Sequence, residues 1–205
     1  MYCPTCQCDF VGWRGKCPNC ANPLVEGKEP VPDAVGPLLS YEDLVALVCK
    51  RDDGLVIPLL TSEVGSQKGW GFPYKAFRFS WASMMKGVLE SYQVALRTTE
   101  VGREKKWSYP YFGYGYAWAK QMKGHIGGND VTLSASRVVR ERKLAFPYRG
   151  FGFAWTEELI GNCGAQIDVR VVVTEVGRKM GWQFPFSGLG AAWAKKADLV
   201  MTLAK

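Results

Sequence analysis

Histidine is nearly absent from this chain: there is one, His125, in a Lys-Gly-His-Ile-Gly-Gly stretch. It has no cysteine or serine partner at a known motif spacing, so triad-type nucleophilic catalysis is not indicated. No run of about 18 apolar residues occurs, so no membrane-spanning helix is expected. The N-terminus lacks a basic stretch leading into an apolar one, so no secretory leader is read and the cytoplasm is the expected compartment. Gly150-x-Gly152 follows no Rossmann-type strand and opens no phosphate-binding loop of the usual spacing. The seven cysteines are an odd number, and in a reducing compartment they argue against a disulfide framework.

What is present begins with a hydrophobic fraction of 47% over 205 residues, enough for a core and for one or two domains. The net charge of +7 is uneven. Residues 26–53 carry three basic and seven acidic groups, and 1–25 two basic and one acidic, which leaves +10 for 54–205. A basic body behind an acidic segment fits an anionic partner, or a solvated surface that keeps the chain soluble.

Cys3 and Cys6 form one CxxC pair, Cys17 and Cys20 another, and a proline follows the first cysteine of each. Two residues between thiols let a tight turn aim both sulfurs at one ion, and two such turns supply the four thiolates of a closed tetrahedral zinc site. With every position held by sulfur such a zinc is structural, a staple for about 25 residues that cannot build a core alone. Cys8 is an extra thiol beside Cys6, and Cys49 and Cys163 are isolated. The Trp13-x-Gly15-Lys16-Cys17-Pro18-x-Cys20 stretch resembles the rubredoxin-like zinc ribbons, in particular the ribbon preceding RadA-type ATPases. The resemblance covers residues 1–25 only and implies a zinc ribbon there. No P-loop follows, so the ATPase is not implied, and Gln7 and Ala21 stand where these ribbons usually have glycine.

Residues 26–53 read as a linker, with three prolines and two glycines within 26–40. Ser40 with Asp43 caps a short helix over 41–50, or Leu44–Cys49 and Leu55–Leu60 pair as a hairpin across Asp52-Asp53-Gly54.

The body, 54–205, repeats itself four times, over about 55–91, 92–129, 130–165 and 166–205. Pro73, Pro110, Pro147 and Pro185 each sit between aromatics, at steps of 37, 37 and 38 residues. Trp81, Trp118, Trp155 and Trp193 each follow eight residues later, and Glu63, Glu100, Arg137 and Glu175 each precede by ten. Such short tandem units must share a core. Each opens with an alternating strand, such as Ile167, Val169, Val171 and Val173, followed by a basic turn and a second strand around the proline. After the tryptophan, Trp81, Met84, Met85, Val88 and Leu89 fit one helical face, as do Trp155, Leu159 and Cys163, with Gly87, Gly124 and Gly161 placed as helix C-terminal glycines. The expected fold is therefore β-rich α+β: a zinc ribbon plus four tandem strand–strand–short helix repeats of about 37 residues. The alternative is an all-β barrel of eight strands, with Gly-Phe-Gly-Phe-Ala-Trp as a strand.

The repeated acids are better explained by salt bridges or turn hydrogen bonds than by general-base catalysis, and a non-enzymatic protein is expected. Arg103, Lys105 and Lys106, then Arg140, Arg142 and Lys143, then Arg178 and Lys179, gather on one rim if the copies share an orientation. Trp107 and Trp182 stand beside them. Phosphates pair with such cations and bases stack on such rings, which points to nucleic acid. The second reading is a scaffold that self-assembles or docks into a larger protein complex. The third is a small-molecule or lipid binder with Gly150, Gly152 and Ala154 lining a barrel cavity.

Overall fold

The computed structural model describes residues 2–3, 8–9, 15–16, 23, 36–71, 75–108, 112–145, 149–183 and 187–204, with side chains at 15–16, 23, 36–67, 79–104, 116–141, 153–179 and 191–204. Two short strands, β1 (Tyr2–Cys3) and β2 (Cys8–Asp9), pair antiparallel. A helix, α1 (Tyr41–Cys49), precedes eight long strands: β3 (Leu55–Gly71), β4 (Lys75–Leu89), β5 (Tyr92–Ser108), β6 (Phe112–Ile126), β7 (Asn129–Ala145), β8 (Arg149–Cys163), β9 (Ile167–Gln183) and β10 (Ser187–Leu203). These eight close into one antiparallel barrel in the order β10-β3-β4-β5-β6-β7-β8-β9.

The α+β expectation of strand–strand–helix repeats is thus corrected: the alternative, an eight-stranded barrel, is what forms, and the segments after the tryptophans are strand. Two features counterfeited the helical period. In each hairpin the ladder slips by one residue first on one strand and then on the other, skipping Ser62 and then Ser83 in the first and Thr99 and then Lys120 in the second. Such a bulge breaks the two-residue alternation and leaves Met84 and Met85 both buried while Val88 is exposed. Spacings of four, as from Leu159 to Cys163, fit a strand as well as a helix. The expected basic turns are also extended backbone, because β3, β5, β7 and β9 run straight through Val-Gly-Arg-type segments. The aromatic-proline triplets fall at residues 72–74, 109–111, 146–148 and 184–186, outside the described residues.

The glycines read as helix caps have another role. Gly87, Gly124 and Gly161 sit where neighbouring staves press together. A Cβ at Gly124 would lie 1.8 Å from the Ala95 carbonyl oxygen, and one at Gly161 2.1 Å from that of Thr132. Glycine is what lets the backbones approach so closely.

The ladders between hairpins cover six residue pairs each, whereas those within hairpins run on far beyond them. The molecule therefore has a closed barrel at one end and four long two-stranded hairpins, β3–β4, β5–β6, β7–β8 and β9–β10, at the other. The repeated bulges lie between the two regions, where added bend and twist turn a stave into a projecting hairpin.

The closed end is filled. The alternating residues Ile167, Val169 and Val171 point inward and are buried, as are Val94, Leu96, Met122, Ile126, Leu133 and Leu199. Eight strands leave an interior just wide enough for such side chains. Of the two readings of residues 41–60, the helix forms. Ser40 Oγ accepts from the Asp43 amide at 3.1 Å, and Glu42 and Asp43 place negative charge in the first turn. Leu44 and Val48, four apart, share the buried face, and with Leu39 they join the barrel core and stopper its end. The stopper is tied down by Leu39 N–H donating to Gly127 O at 2.8 Å and by Tyr41 Oη donating to Cys163 O at 3.2 Å.

Candidate functional site

Each repeated tryptophan lies across the hairpin ladder from the position eight residues before its proline: Gly65↔Trp81, Gly102↔Trp118, Val139↔Trp155 and Gly177↔Trp193. A Cβ on Gly65, Gly102 or Gly177 would meet the indole at 2.4, 2.2 and 2.4 Å, so the ring lies flat on the glycine backbone. That is the local reason for the Val-Gly motif; the third copy has Val139, which packs on Trp155 instead.

The other side of the tryptophan faces the next hairpin. Arg103 stands over the Trp81 ring at 5.8 Å, Arg140 over Trp118 at 4.8 Å and Arg178 over Trp155 at 5.2 Å. Two of these arginines also bind an acid one hairpin back: Arg140 Nε donates to Glu104 at 2.9 Å, and Arg178 Nη2 to Glu141 at 2.8 Å. Beside the acids, Tyr116 and Trp118 pack on Ala154, and Phe153 and Trp155 pack on Ala192. The hairpins are thus stacked around the axis like blades, the second, third and fourth each latched to the one before it through an aromatic face and a guanidinium. Three residues taken from the sequence as a phosphate-binding rim, Arg103, Arg140 and Arg178, are these latches.

The repeated acids have a second structural job at the bulge. Lys120 Nζ binds Glu100 at 2.6 Å, and Lys195 and Lys196 bind Glu175 at 2.5 and 2.6 Å. In the third copy the charges are exchanged, with Arg137 on Glu157 at 2.8 Å. In the first, Glu63 takes Arg97 at 3.4 Å. The two lysines beside Glu175 hold its carboxyl down to about 2. Hydrogen bonds from Ser136 and then Arg170 lower that of Glu158. Groups held as ionised partners in this way serve poorly as proton acceptors near neutral pH.

The remaining basic positions lie further out on the same strands. Lys105 pairs across the ladder with Gly115, Lys106 with Tyr114 and Trp107 with Gly113. Arg142 pairs with Gly152 and Lys143 with Phe151, Lys179 with Ala191 and Trp182 with Gly188. The side chains of Lys105, Lys106, Trp107, Arg142, Lys143 and Trp182 lie outside the described residues, whereas Lys179 is described and exposed. No basic position of this set faces an acid across its ladder.

Of the cavity residues expected for a ligand binder, Ala154 is buried against Tyr116, and the side-chain surroundings of Gly150 and Gly152 lie outside the described residues. Where the four tryptophans meet the barrel, about 10 Å³ is free. The larger hollows, about 730 and 770 Å³, are open grooves, one along β8, β9 and β10 and one beside the end of α1. His125 is buried within β6, opposite Asp130.

The metal-binding expectation is corrected for the described residues alone, among which no three His, Cys, Asp or Glu side chains gather as a metal site; the zinc ribbon read from residues 1–25 falls almost wholly outside them. Cys6, Cys17 and Cys20 lie outside the described residues, and of Cys3 only the backbone is described, paired with Cys8 in the β1–β2 ladder. Among the described cysteine side chains, Cys49 is exposed and Cys163 is buried, its thiol pushed up to about 11 by burial and by Asp130. Among the described residues no helix is long and apolar enough to cross a membrane. Compared with known proteins, the chain matches no family model, no curated protein and no solved structure.

What sequence reasoning missed is the latch. Its signal was present, since Arg103, Arg140 and Arg178 recur at one register seven residues before each proline, and Glu104 and Glu141 at the next. Nothing in one chain says that a repeated arginine reaches back to the preceding unit; that follows only once the strands close into a ring.

Proposed function

We propose that this is a non-enzymatic nucleic-acid-binding protein of the cytoplasm, gripping its ligand with the outer parts of the four hairpins. The observation that carries the reading is the register. Lys105 and Lys106 match Arg142 and Lys143 in register on two successive hairpins, and Lys179 stands one position earlier on the next, all opposite glycine, alanine or aromatic positions rather than acids. Cations left without acids across the ladder, interleaved with rings, suit phosphates and bases together. The closed end is occupied by packing and by the α1 stopper, which leaves the hairpin end as the working surface. The test is the absorbance ratio at 260 and 280 nm of protein purified without nuclease, compared before and after a high-salt wash. A raised ratio that the wash lowers supports the reading; a ratio equal to that of the bare chain in both samples counts against it.

The scaffolding reading is favoured by a different observation. The outer wall of the first hairpin exposes Val56, Leu60 and Val88 at 53, 56 and 58%. The third copy carries Asp130, Thr132 and Ser134 along the corresponding stretch of wall. An apolar stripe on one stave of four is a place for another protein to dock.

A further inference from the structure

The latches do not complete the ring. Between the second and third hairpins, and between the third and fourth, the seam holds a tryptophan, an arginine over it and an acid for that arginine. Between the first and second it holds Trp81 and Arg103, with Gln67 at the acid's position. Between the fourth and first hairpins every counterpart is changed. Ser66 stands at the arginine position and Lys179 at the acid position. Ala191 replaces the ring that is Phe79, Tyr116 or Phe153 in the other copies. Among the described residues Trp193 thus has no cation over it, and Lys179, which is exposed, has no acidic partner. Hydroxyl bonds close the base of this seam, with Thr61 donating to Ala194 O at 2.5 Å, as Thr98 does to Ala82 O at a latched seam, and Ser80 donating to Ala192 O at 2.8 Å.

From these substitutions we propose that the seam between the fourth and first hairpins is the principal binding site for single-stranded nucleic acid, with a base stacked on Trp193 and its phosphate on Lys179. This rests on the nucleic-acid reading above. The chemistry follows from what the seam lacks. At the other three seams an arginine covers one side of the tryptophan, and Gly177 already covers the opposite side of Trp193. A partly exposed ring with no arginine over it is a stacking platform, and every base offers a π-face to it. Lys179 lies directly across the ladder from Ala191, two residues before Trp193, within reach of the phosphate of a base stacked there. At the third seam the equivalent positions hold Glu141 and Phe153, which would repel the phosphate and fill the base's place. The two hydroxyls keep the hairpins in register on either side of Trp193, which is partly exposed, and Lys179 stands just beyond them, opposite Ala191.

The test restores the missing latch. Ser66→Arg with Lys179→Glu copies the residues of the second and third seams and lowers the net charge by one. Lys86→Gln, on the outer wall of the barrel, makes the same change of charge elsewhere. Binding of a fluorescein-labelled oligothymidylate of about ten nucleotides is followed by anisotropy for the wild type and both variants, with the melting temperature as a check on folding. The expected result is roughly tenfold weaker binding by the latched variant, as for the loss of one stacked base, at an unchanged or raised melting temperature, with Lys86→Gln close to wild type. Wild-type affinity in the latched variant would overturn the seam while leaving the nucleic-acid reading standing. An equal loss in both variants would show a charge effect and overturn it likewise. Absence of binding by the wild type would remove the nucleic-acid reading itself. If the latched variant melts lower, Trp193→Leu is measured in its place, with the same expected loss and the same contrary outcome.

Discussion

The two ends of this barrel are built from the same four repeats and solve different problems. At the closed end the inward positions are Ile, Val, Leu and Met, buried almost without exception, and an amphipathic helix stoppers the opening. At the hairpin end only two strands pair at a time, with tryptophan on glycine inside a hairpin, and neighbouring hairpins meet through side chains: arginine on tryptophan and glutamate on arginine. The closed end is held by burial, which is insensitive to pH and salt. The hairpin end is held by charge and stacking, which respond to both and which a ligand of the right charge can replace. The proposed recognition thus falls to the end where the described contacts between hairpins are charge and stacking.

The comparison is broken most severely at the closed end. Leu133→Ala removes a fully buried side chain from the barrel axis, and a loss of about 3 kcal/mol in chemical denaturation is expected. A cost below about 1 kcal/mol would mean that the barrel is not the stable half. At the hairpin end the largest steric change is Gly102→Val, whose Cβ would lie 2.2 Å from the Trp118 ring. It should cost about 2 kcal/mol, whereas Val139→Gly in the third copy, where the larger residue is native, should cost about 1 kcal/mol at most as strand propensity and packing are lost. Arg140→Ala removes a cation over Trp118 and the partner of Glu104. Being half-exposed, it should cost about 1 kcal/mol in thermal or chemical denaturation, with more of the effect at low salt than at high. The smallest effect is at the bulge. The folded pKa of Glu175, about 2, lies below its ordinary 4.5. The stabilisation is therefore fully present above about pH 4.5 and is lost as pH falls towards 2. Melting temperatures of wild type and Glu175→Gln, recorded against pH, should differ slightly at neutrality and converge near pH 2. Curves that remain parallel to that point would remove the ion pair from the account.

How much of this was legible in the sequence divides along the same line. The alternation of Ile167, Val169 and Val171 is a local property of one strand, and those residues point inward as read. The repeat itself was plain, and so was the ion-pair use of Glu100 and Glu175. The strand after each tryptophan was misread because a bulge imitates a helical period, and because Gly87, Gly124 and Gly161 carry the same letter whether they cap a helix or admit a neighbouring backbone. The latches were out of reach for another reason. Arg140 is 36 residues from Glu104, and which neighbour it meets depends on ring closure. The unlatched seam is visible in hindsight as Ser66, Lys179 and Ala191, three departures from the repeat. Departures acquire a meaning only once their positions are known to face each other.

The central proposal is that the hairpin end binds nucleic acid through cations that face no acid across their ladders. Its most direct test is the salt dependence of oligonucleotide affinity for the wild type and for Lys106→Ala with Arg142→Ala. The account predicts that the logarithm of the binding constant falls linearly with that of salt concentration, and that the double variant shows a slope smaller by about one to two, since each phosphate contact contributes about 0.7 on a single strand. A slope near zero for the wild type, or an unchanged slope in the variant, would contradict it.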